Sequence, residues 1–304
     1  MGNAQRPPGR LTSPTRRPLG SPPHAAGTFA GMRILVTNDD GIDSIGLHVL
    51  ARAMLPLGDV TVVAPDREFS GAGASLGALH LIRPEVHDAR IDGIDQVWSV
   101  SGPPGLCVVY SRLGIFGDPF DLVVAGINPG SNVGRSVYHS GTVGAALTAR
   151  NGGLTGVAVS QAVTGWGIEG QGGEDTLGDQ FWDSAAEVAA TAVGAVIADP
   201  PPSPSVLNLN VPNLPVDQMR GWKETPVGAH PPRTLSTAGL EPKQGHEGTY
   251  RIRMDWGEAL PLDPDTDGGA VMGGWVSLTW LGHLSGSDAP SDNPVATALD
   301  GLFA

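Results

Sequence analysis

Cysteine is nearly absent: Cys107 stands alone among 304 residues. One thiol excludes an intramolecular disulfide framework and agrees with a reducing, cytoplasmic compartment. Cys107 lies in the apolar run Leu106–Tyr110, where burial is expected of it rather than catalysis. Basic residues are scarce as well, with 18 Lys and Arg against 31 Asp and Glu, a net charge of −13. Arg6, Arg10, Arg16 and Arg17 all precede Met32, in a stretch without a single acid, so the remainder is more acidic still. Such a body is a poor ligand for nucleic acid, whose affinity rests on Lys and Arg neutralising phosphates. An anionic substrate would need a cation or backbone dipoles to enter. No apolar run reaches the roughly 18 to 20 residues that cross a bilayer, so no membrane association is expected. Residues 1–31 also lack the apolar core of a secretory signal and any hydrophobic periodicity. They read as a disordered tail or as the product of a misassigned start codon, since Met32 opens a strand pattern.

From Arg33 short β-branched runs alternate with segments of helical period, which predicts an α/β fold: a Rossmann-like, three-layer arrangement around a mostly parallel sheet. Strands are expected at Arg33–Thr37, Asp59–Ala64, Gln96–Val100, Asp121–Ala125, Gly156–Ser160 and Val206–Asn210. Helices are expected at Gly46–Leu57, Gly105–Phe116, Thr142–Asn151 and Phe181–Ala198. Runs such as Ile34-Leu35-Val36 are apolar on both faces, as buried parallel strands require. The catalytic unit is expected over 32–212. Past Pro212 short β-like pieces, Thr249–Met254 and Gly274–Leu281, suggest an irregular β arm over 213–284 where subunits could meet, and 285–304 reads as a flexible tail. The Gly-rich, acidic stretch Gly165–Gly178 reads as a solvated loop.

Several features fall just after expected strands, at the edge where open α/β sheets collect ligands. Asn38-Asp39-Asp40-Gly41 places adjacent carboxylates after the first strand. A hard divalent cation is the usual means of keeping both ionised, although an Asx turn capping the next helix accounts for the same residues. After the second strand come Asp66-Arg67-Glu68-Phe69-Ser70-Gly71, rich in oxygen donors; Arg67 could pair with Asp66 or hold phosphate, and Ser70 could ligate a cation. The glycines from Gly71 to Gly77 have neither the place nor the spacing of a dinucleotide fingerprint. Gly126-Ile127-Asn128-Pro129-Gly130-Ser131-Asn132 supplies amide oxygens at another strand end, with Asn128 the favoured metal ligand. Ser140-Gly141-Thr142 opens a helix whose positive end is a phosphate site in form, or an ordinary N-cap.

These motifs, Met32–Gly41, Val62–Arg67 with Ser70-Gly71, Gly126–Asn128 and Ser140–Ala146, resemble in order and spacing the SurE (stationary-phase survival) nucleotidases. The resemblance implies a nucleoside monophosphate phosphohydrolase that needs one divalent cation per subunit, Mg²⁺ or Mn²⁺, and assembles as a homodimer or homotetramer through a C-terminal arm. Nucleoside 5'-monophosphates are the implied substrates, with 3'-monophosphates a further candidate. It implies metal ligands at Asp39, Asp40, Ser70 and Asn128, and places Asn132, Ser140, Gly141 and Thr142 around the phosphate. Asp39, Asp40 and Asn132 are the residues expected to carry the chemistry. The chain departs from the family pattern at Gly102–Leu106, at Arg135-Ser136, and at His139, which stands where an aromatic residue is common and could donate a proton to the leaving alkoxide.

Two routes fit: attack by water activated at the cation, or a covalent route with Asp39 as nucleophile. The rival class is a receiver-like phospho-signalling or nucleotide-binding module without turnover. A receiver needs a lysine after a late strand, and the chain's lysines are Lys223 and Lys243, both beyond the expected sheet. A nucleotide-sugar transferase or dinucleotide enzyme would need a Gly-rich turn after the first strand.

Overall fold

A computed structural model describes residues 31–77, 79, 81, 83–164, 177–233, 235–288 and 293–303. The N-terminal segment up to residue 30 and most of the 165–178 loop lie outside these described residues. The first strand, β1 (Arg33–Thr37), has Ile34, Leu35 and Val36 fully buried, so both of its faces are covered. Ile34 and Val36 join a core with α1 (Ile45–Met54) and α4 (Trp182–Ala198). Leu35 joins the opposite core with α2 (Pro104–Arg112) and α3 (Gly141–Asn151). Period-two alternation along one apolar strand thus builds the three layers.

The other strands are β2 (Asp59–Pro65), β3 (Val86–Asp88), β4 (Gln96–Val100), β5 (Leu122–Pro129), β6 (Thr155–Gln161), β7 (Val206–Val211), β8 (Trp222–Glu224), β9 (Leu235–Pro242), β10 (Tyr250–Trp256) and β11 (Val276–Leu281). Nine of them form one sheet in the order β3-β4-β2-β1-β5-β6-β7-β11-β8. The central six are parallel, from β4 through β7. From β1 the chain builds outward to β2 and β4, then returns to the other side of β1 with β5 and continues to β6 and β7. Strand order therefore reverses between β1 and β5, and a crevice opens at their carboxyl ends.

The helices follow from local chemistry. In α1, Leu47, Leu50, Ala51 and Met54 recur at helical spacing and are buried. Ser44 caps its start by accepting the Leu47 N–H, and Pro56 falls just past its end. Gly46 lets α1 approach β5 so closely that a methyl there would collide with the Ile127 carbonyl oxygen. The sequence predicts α2 through Phe116, but the helix stops at Arg112, because Gly114 takes φ of 83°, a left-handed turn that ends it. Cys107 is buried in α2, as expected of a packing thiol, and burial pushes its pKa up.

Two features mark the C-terminal third. The boundary drawn after Pro212 divides the main sheet: β11 runs antiparallel to β7 and β8 runs parallel to β11. Only β9 and β10 stand apart, as an antiparallel pair that forms the expected arm and exposes Leu240, Ile252 and Met254. The segment read as a frayed end carries a helix, α6 (Pro294–Phe303), whose Val295, Leu299 and Leu302 face solvent. A short α5 (Asp267–Met272) precedes β11.

Candidate active site

The Asn38-Asp39-Asp40-Gly41 turn begins where β1 leaves the sheet. The Asn38 side chain donates from Nδ2 to the Gly41 carbonyl (3.0 Å) and to Ser44 Oγ (2.7 Å), joining the turn to the cap of α1. Gly41 has φ of 102°, and a Cβ there would lie 3.2 Å from the Arg67 backbone. Only glycine meets both demands.

Asp39 is fully buried at the start of α3. Its Oδ2 accepts the Gly141 N–H (3.0 Å) and its Oδ1 accepts the Thr142 hydroxyl. Burial pushes the Asp39 pKa up, and the hydrogen bonds from Thr142 and Gly141 oppose that shift. The positive end of α3 adds to this support for the anion. Ser140 spends its side chain on the Val143 N–H (3.1 Å) as N-cap. The residues expected around phosphate thus have a structural task first: this helix start cradles Asp39.

The second loop is pinned to the first. Ile42 N donates to the Pro65 carbonyl (2.8 Å), and Phe69 N donates to the Asp39 carbonyl (2.7 Å). Ser70 follows that anchor, exposed, with its hydroxyl donating to Glu68 Oε1 (2.8 Å). Arg67 pairs with Asp66 at 3.3 Å and covers the Phe69 ring at 4.9 Å.

The third element is β5, beside β1. Its pairing with β6 slips by one residue between Ala125 and Asn128, an irregularity of the bulge kind that re-aims the strand end. Gly126 has φ of 131° there, and a Cβ on it would collide with the Val159 carbonyl. Asn128 is buried, and its Nδ2 donates to the Gly130 carbonyl (2.7 Å), which leaves Oδ1 as its acceptor end.

Asn132 departs from expectation. Its N–H donates to Asn210 Oδ1 (2.8 Å), its Nδ2 to Ser160 Oγ (2.8 Å), and its carbonyl accepts from Asn208 Nδ2 (2.8 Å) and Asn210 Nδ2 (3.1 Å). It is a fully buried junction that fixes the 130–134 loop onto β6 and β7, rather than a group offered to solvent. His139 is exposed, and its backbone carbonyl accepts the Gly73 N–H (2.9 Å), a bond that ties the Gly71–Gly77 loop to the chain just before α3.

Sequence reasoning gave no site role to Asn208, Asn210 or Asp267. The first two alternate along the buried β7, Val-Leu-Asn-Leu-Asn-Val, a polar face in a core strand that could have been noticed. Asp267 gave no signal among so many acids. It is buried at the start of α5 and accepts N–H groups from Gly134 (2.9 Å), Gly228 (2.9 Å) and Gly268 (2.7 Å). Desolvation pushes its pKa up against those bonds.

A cleft of about 580 Å³ opens beside Asp40, lined also by Asp43, Ile45, Glu68, Ile127, Pro129 and Trp182. A larger hollow of about 700 Å³ lies between residues 88–98 and 115–117, at the opposite edge of the sheet from Asp39. The strand crossover and the hydrogen-bonded carboxylate make the cleft beside Asp40, rather than the larger hollow, the candidate site.

The donor chemistry fits a hard cation. Asp39 and Asp40 supply carboxylates, Asn128 an amide oxygen and Ser70 a hydroxyl, all oxygen donors of the kind Mg²⁺ and Mn²⁺ accept. Among the described residues no group of three or more His, Cys, Asp and Glu gathers as a metal site, so two carboxylates with neutral oxygens form the candidate set.

Residues 34–233 match the family model described as Survival protein SurE. The 5'/3'-nucleotidase SurE of Erwinia tasmaniensis is 36% identical over 250 residues, 82% of this chain and 90% of that protein. The 5'-nucleotidase SurE of Legionella pneumophila is 40% identical over 199 residues, 65% of this chain and 70% of that protein. Among solved structures, the SurE protein from Aquifex aeolicus superposes with a TM-score of 0.68 at 29% identity, covering 90% of this chain and all of that one. The family match across most of the chain, the curated relatives and the shared fold agree: the chain belongs to the SurE family.

Proposed function

We propose that this protein is a divalent-cation-dependent phosphatase that hydrolyses nucleoside 5'-monophosphates to nucleoside and phosphate. The observation that carries the proposal is the buried Asp39 carboxylate, gripped by the start of α3 beside Asp40 at the β1/β5 crossover. Relatives named 5'-nucleotidase support the substrate class. Asp39, Asp40, Asn128 and Ser70 would hold one cation. When bound, Mg²⁺ or Mn²⁺ supplies Lewis acidity toward a phosphoryl oxygen and lowers the pKa of water.

The chain's own groups do the positioning. Gly141 and Thr142 hold Asp39 fixed, and their hydrogen bonds oppose the upward push that burial gives its pKa. Both Asp39 oxygens already accept hydrogen bonds, which favours a ligand role and attack by water over an aspartyl nucleophile. Asn128 is locked by Gly130, so its oxygen is preorganised rather than recruited. The α3 terminus lies against the same carboxylate, where its dipole acts on charge developing at the phosphoryl oxygens.

The receiver-like alternative loses support, since Lys223 sits on β8, the far edge of the sheet, paired with Asp265 at 3.2 Å. The test is phosphate release from a panel of nucleoside monophosphates with Mg²⁺, with Mn²⁺ and with chelator. Asp39→Asn should abolish turnover while leaving the folded spectrum intact. Release that is unaffected by chelator, or near-wild-type turnover in Asp39→Asn, overturns the proposal.

A further inference from the structure

A separate cavity, of about 220 Å³, lies where the 130–134 loop, the chain leaving β6, α5 and the base of the β9–β10 arm meet. Among the described residues it shares no lining residue with the cleft beside Asp40. Its walls are fixed. Asp267 accepts the N–H groups of Gly134 (2.9 Å) and Gly228 (2.9 Å), tying the loop and the arm base to α5. Gly130 N donates to the Gln161 carbonyl (2.7 Å), and Leu260 N donates to the Pro232 carbonyl (2.8 Å). Gly134 has φ of 57°, and a Cβ there would lie 2.3 Å from the His230 carbonyl oxygen, so the loop and the arm base are in direct contact beside the cavity. The space is bounded by hydrogen-bonded segments on every side, as a preformed site requires.

Inside, the lining is apolar with two exceptions. Val133, Val163 and Val271 are buried and line it. Ser131, only 5% exposed, lines it too, and its hydroxyl is buried without a hydrogen-bond partner. Buried polar groups are nearly always paired, so this hydroxyl calls for an explanation. A lone water answers it poorly, because a buried water needs two to four polar partners. The other polar side chain is Arg233, half-buried, which makes no ion pair or hydrogen bond with the described residues. No acid lines the cavity among the described residues, in contrast to the cleft beside Asp40. The two polar groups differ in depth, the hydroxyl enclosed and the guanidinium partly open to solvent, with valines lining the space they share.

We propose that this cavity binds a compact apolar carboxylate with a hydrogen-bonding group at its far end: the carboxylate on Arg233, the body among the valines, the far group on Ser131 Oγ. The guanidinium fork matches a carboxylate in two parallel hydrogen bonds. A hydroxyl both donates and accepts, so Ser131 pairs with either kind of far group. Size limits the body: an apolar cavity of about 150 Å³ takes a benzene, so this one takes a single ring with its two substituents. The site is independent of the nucleotidase reading, since none of the proposed cation ligands lines it.

Calorimetry on the full chain tests this with three probes: 4-hydroxybenzoate, benzoate, which lacks the far hydroxyl, and 4-hydroxybenzyl alcohol, which lacks the carboxylate. Chelator is present throughout, so that no cation captures the carboxylate elsewhere. The wild type should bind 4-hydroxybenzoate one to one at millimolar concentration or below, and each of the other two about tenfold more weakly. Ser131→Ala should remove the preference over benzoate while leaving benzoate binding as it was. Arg233→Gln should remove the preference over 4-hydroxybenzyl alcohol while leaving the alcohol unaffected. Arg233 is half-buried and unpaired among the described residues, so this variant keeps the proposal testable if Ser131→Ala fails to fold. The proposal is overturned if 4-hydroxybenzoate does not bind the wild type at millimolar concentration. It is equally overturned if the hydroxyl preference survives Ser131→Ala, or if the carboxylate preference survives Arg233→Gln.

Discussion

Gly141→Ala offers the sharpest test of how the site is held. In an ordinary helix the change would stabilise by about 1 kcal/mol, because alanine costs less backbone entropy. Here an added methyl would sit 2.6 Å from Asp39 Cβ, 2.6 Å from its Oδ2 and 2.9 Å from its Cγ. Ordinary contacts begin near 3.4 Å, so the aspartate must retreat by about 1 Å. It cannot swing aside freely, because the Thr142 hydroxyl and the Gly141 N–H hold its two oxygens. Overpacking of this kind costs about 1–3 kcal/mol, and a broken bond to a buried carboxylate about 1.5–3 kcal/mol more. The helix-propensity gain offsets about 1 kcal/mol of this, so a net loss of about 1.5–5 kcal/mol is expected. A displacement of about 1 Å at a positioned ligand lowers the rate by about a hundredfold. Gly194→Ala is the control: it lies in α4, where a Cβ would meet Leu57 Cδ2 at an ordinary 3.5 Å. That variant should gain up to about 1 kcal/mol and keep full turnover. Phosphate release from AMP and denaturant unfolding are measured on both. If Gly141→Ala keeps kcat within about threefold of wild type, the close approach of α3 to Asp39 does not govern the site.

Thr142→Val keeps the shape but removes the hydroxyl bond to Asp39; it should cost about 1.5–3 kcal/mol of stability by denaturant titration, with turnover falling at least tenfold. Asp267→Asn should loosen the 134 and 228 loops, because an amide cannot accept all three N–H groups at once; more than about 1 kcal/mol of lost stability at pH 7 is the expected reading. The same carboxyl gives a pH signature. Its pKa is raised on folding, so its titration favours the native state most below the ordinary value of 3.8, and that contribution fades as pH rises through the higher folded pKa. The stability of wild type relative to Asp267→Asn should therefore fall as pH climbs from 4 and then level off; a difference that instead grows with pH contradicts the assigned direction. Leu47→Ala, in the core between β1 and α1, should cost about 2–5 kcal/mol without altering cation dependence.

The sheet was legible because its signal is local. Ile34-Leu35-Val36 and Leu122-Val123-Val124 are apolar on both faces, and each central strand lies within a few residues of its expected span. The motif residues were legible for a related reason: Asn38 to Gly41 and Ser140 to Thr142 each form one turn, and one turn constrains its own sequence. What stayed hidden depends on pairing between distant segments. Asn132 was placed around the phosphate by the family resemblance alone, and its partners Asn208 and Asn210 come from a strand more than 70 residues away. Asp267 is separated from Gly134 by 133 positions, and nothing in the acidic, Gly-rich texture around it marks it as buried. The same blindness affected β11: an antiparallel strand added at the sheet edge has no α/β punctuation around it, so it read as part of the arm. Local motifs therefore disclose which groups can do chemistry, whereas the long-range hydrogen bonds decide which of them are presented and which are spent on holding the others. Asp39 shows both sides, since the turn that carries it was readable, but the helix start that resembled a phosphate site is where this buried carboxylate finds its hydrogen-bond donors.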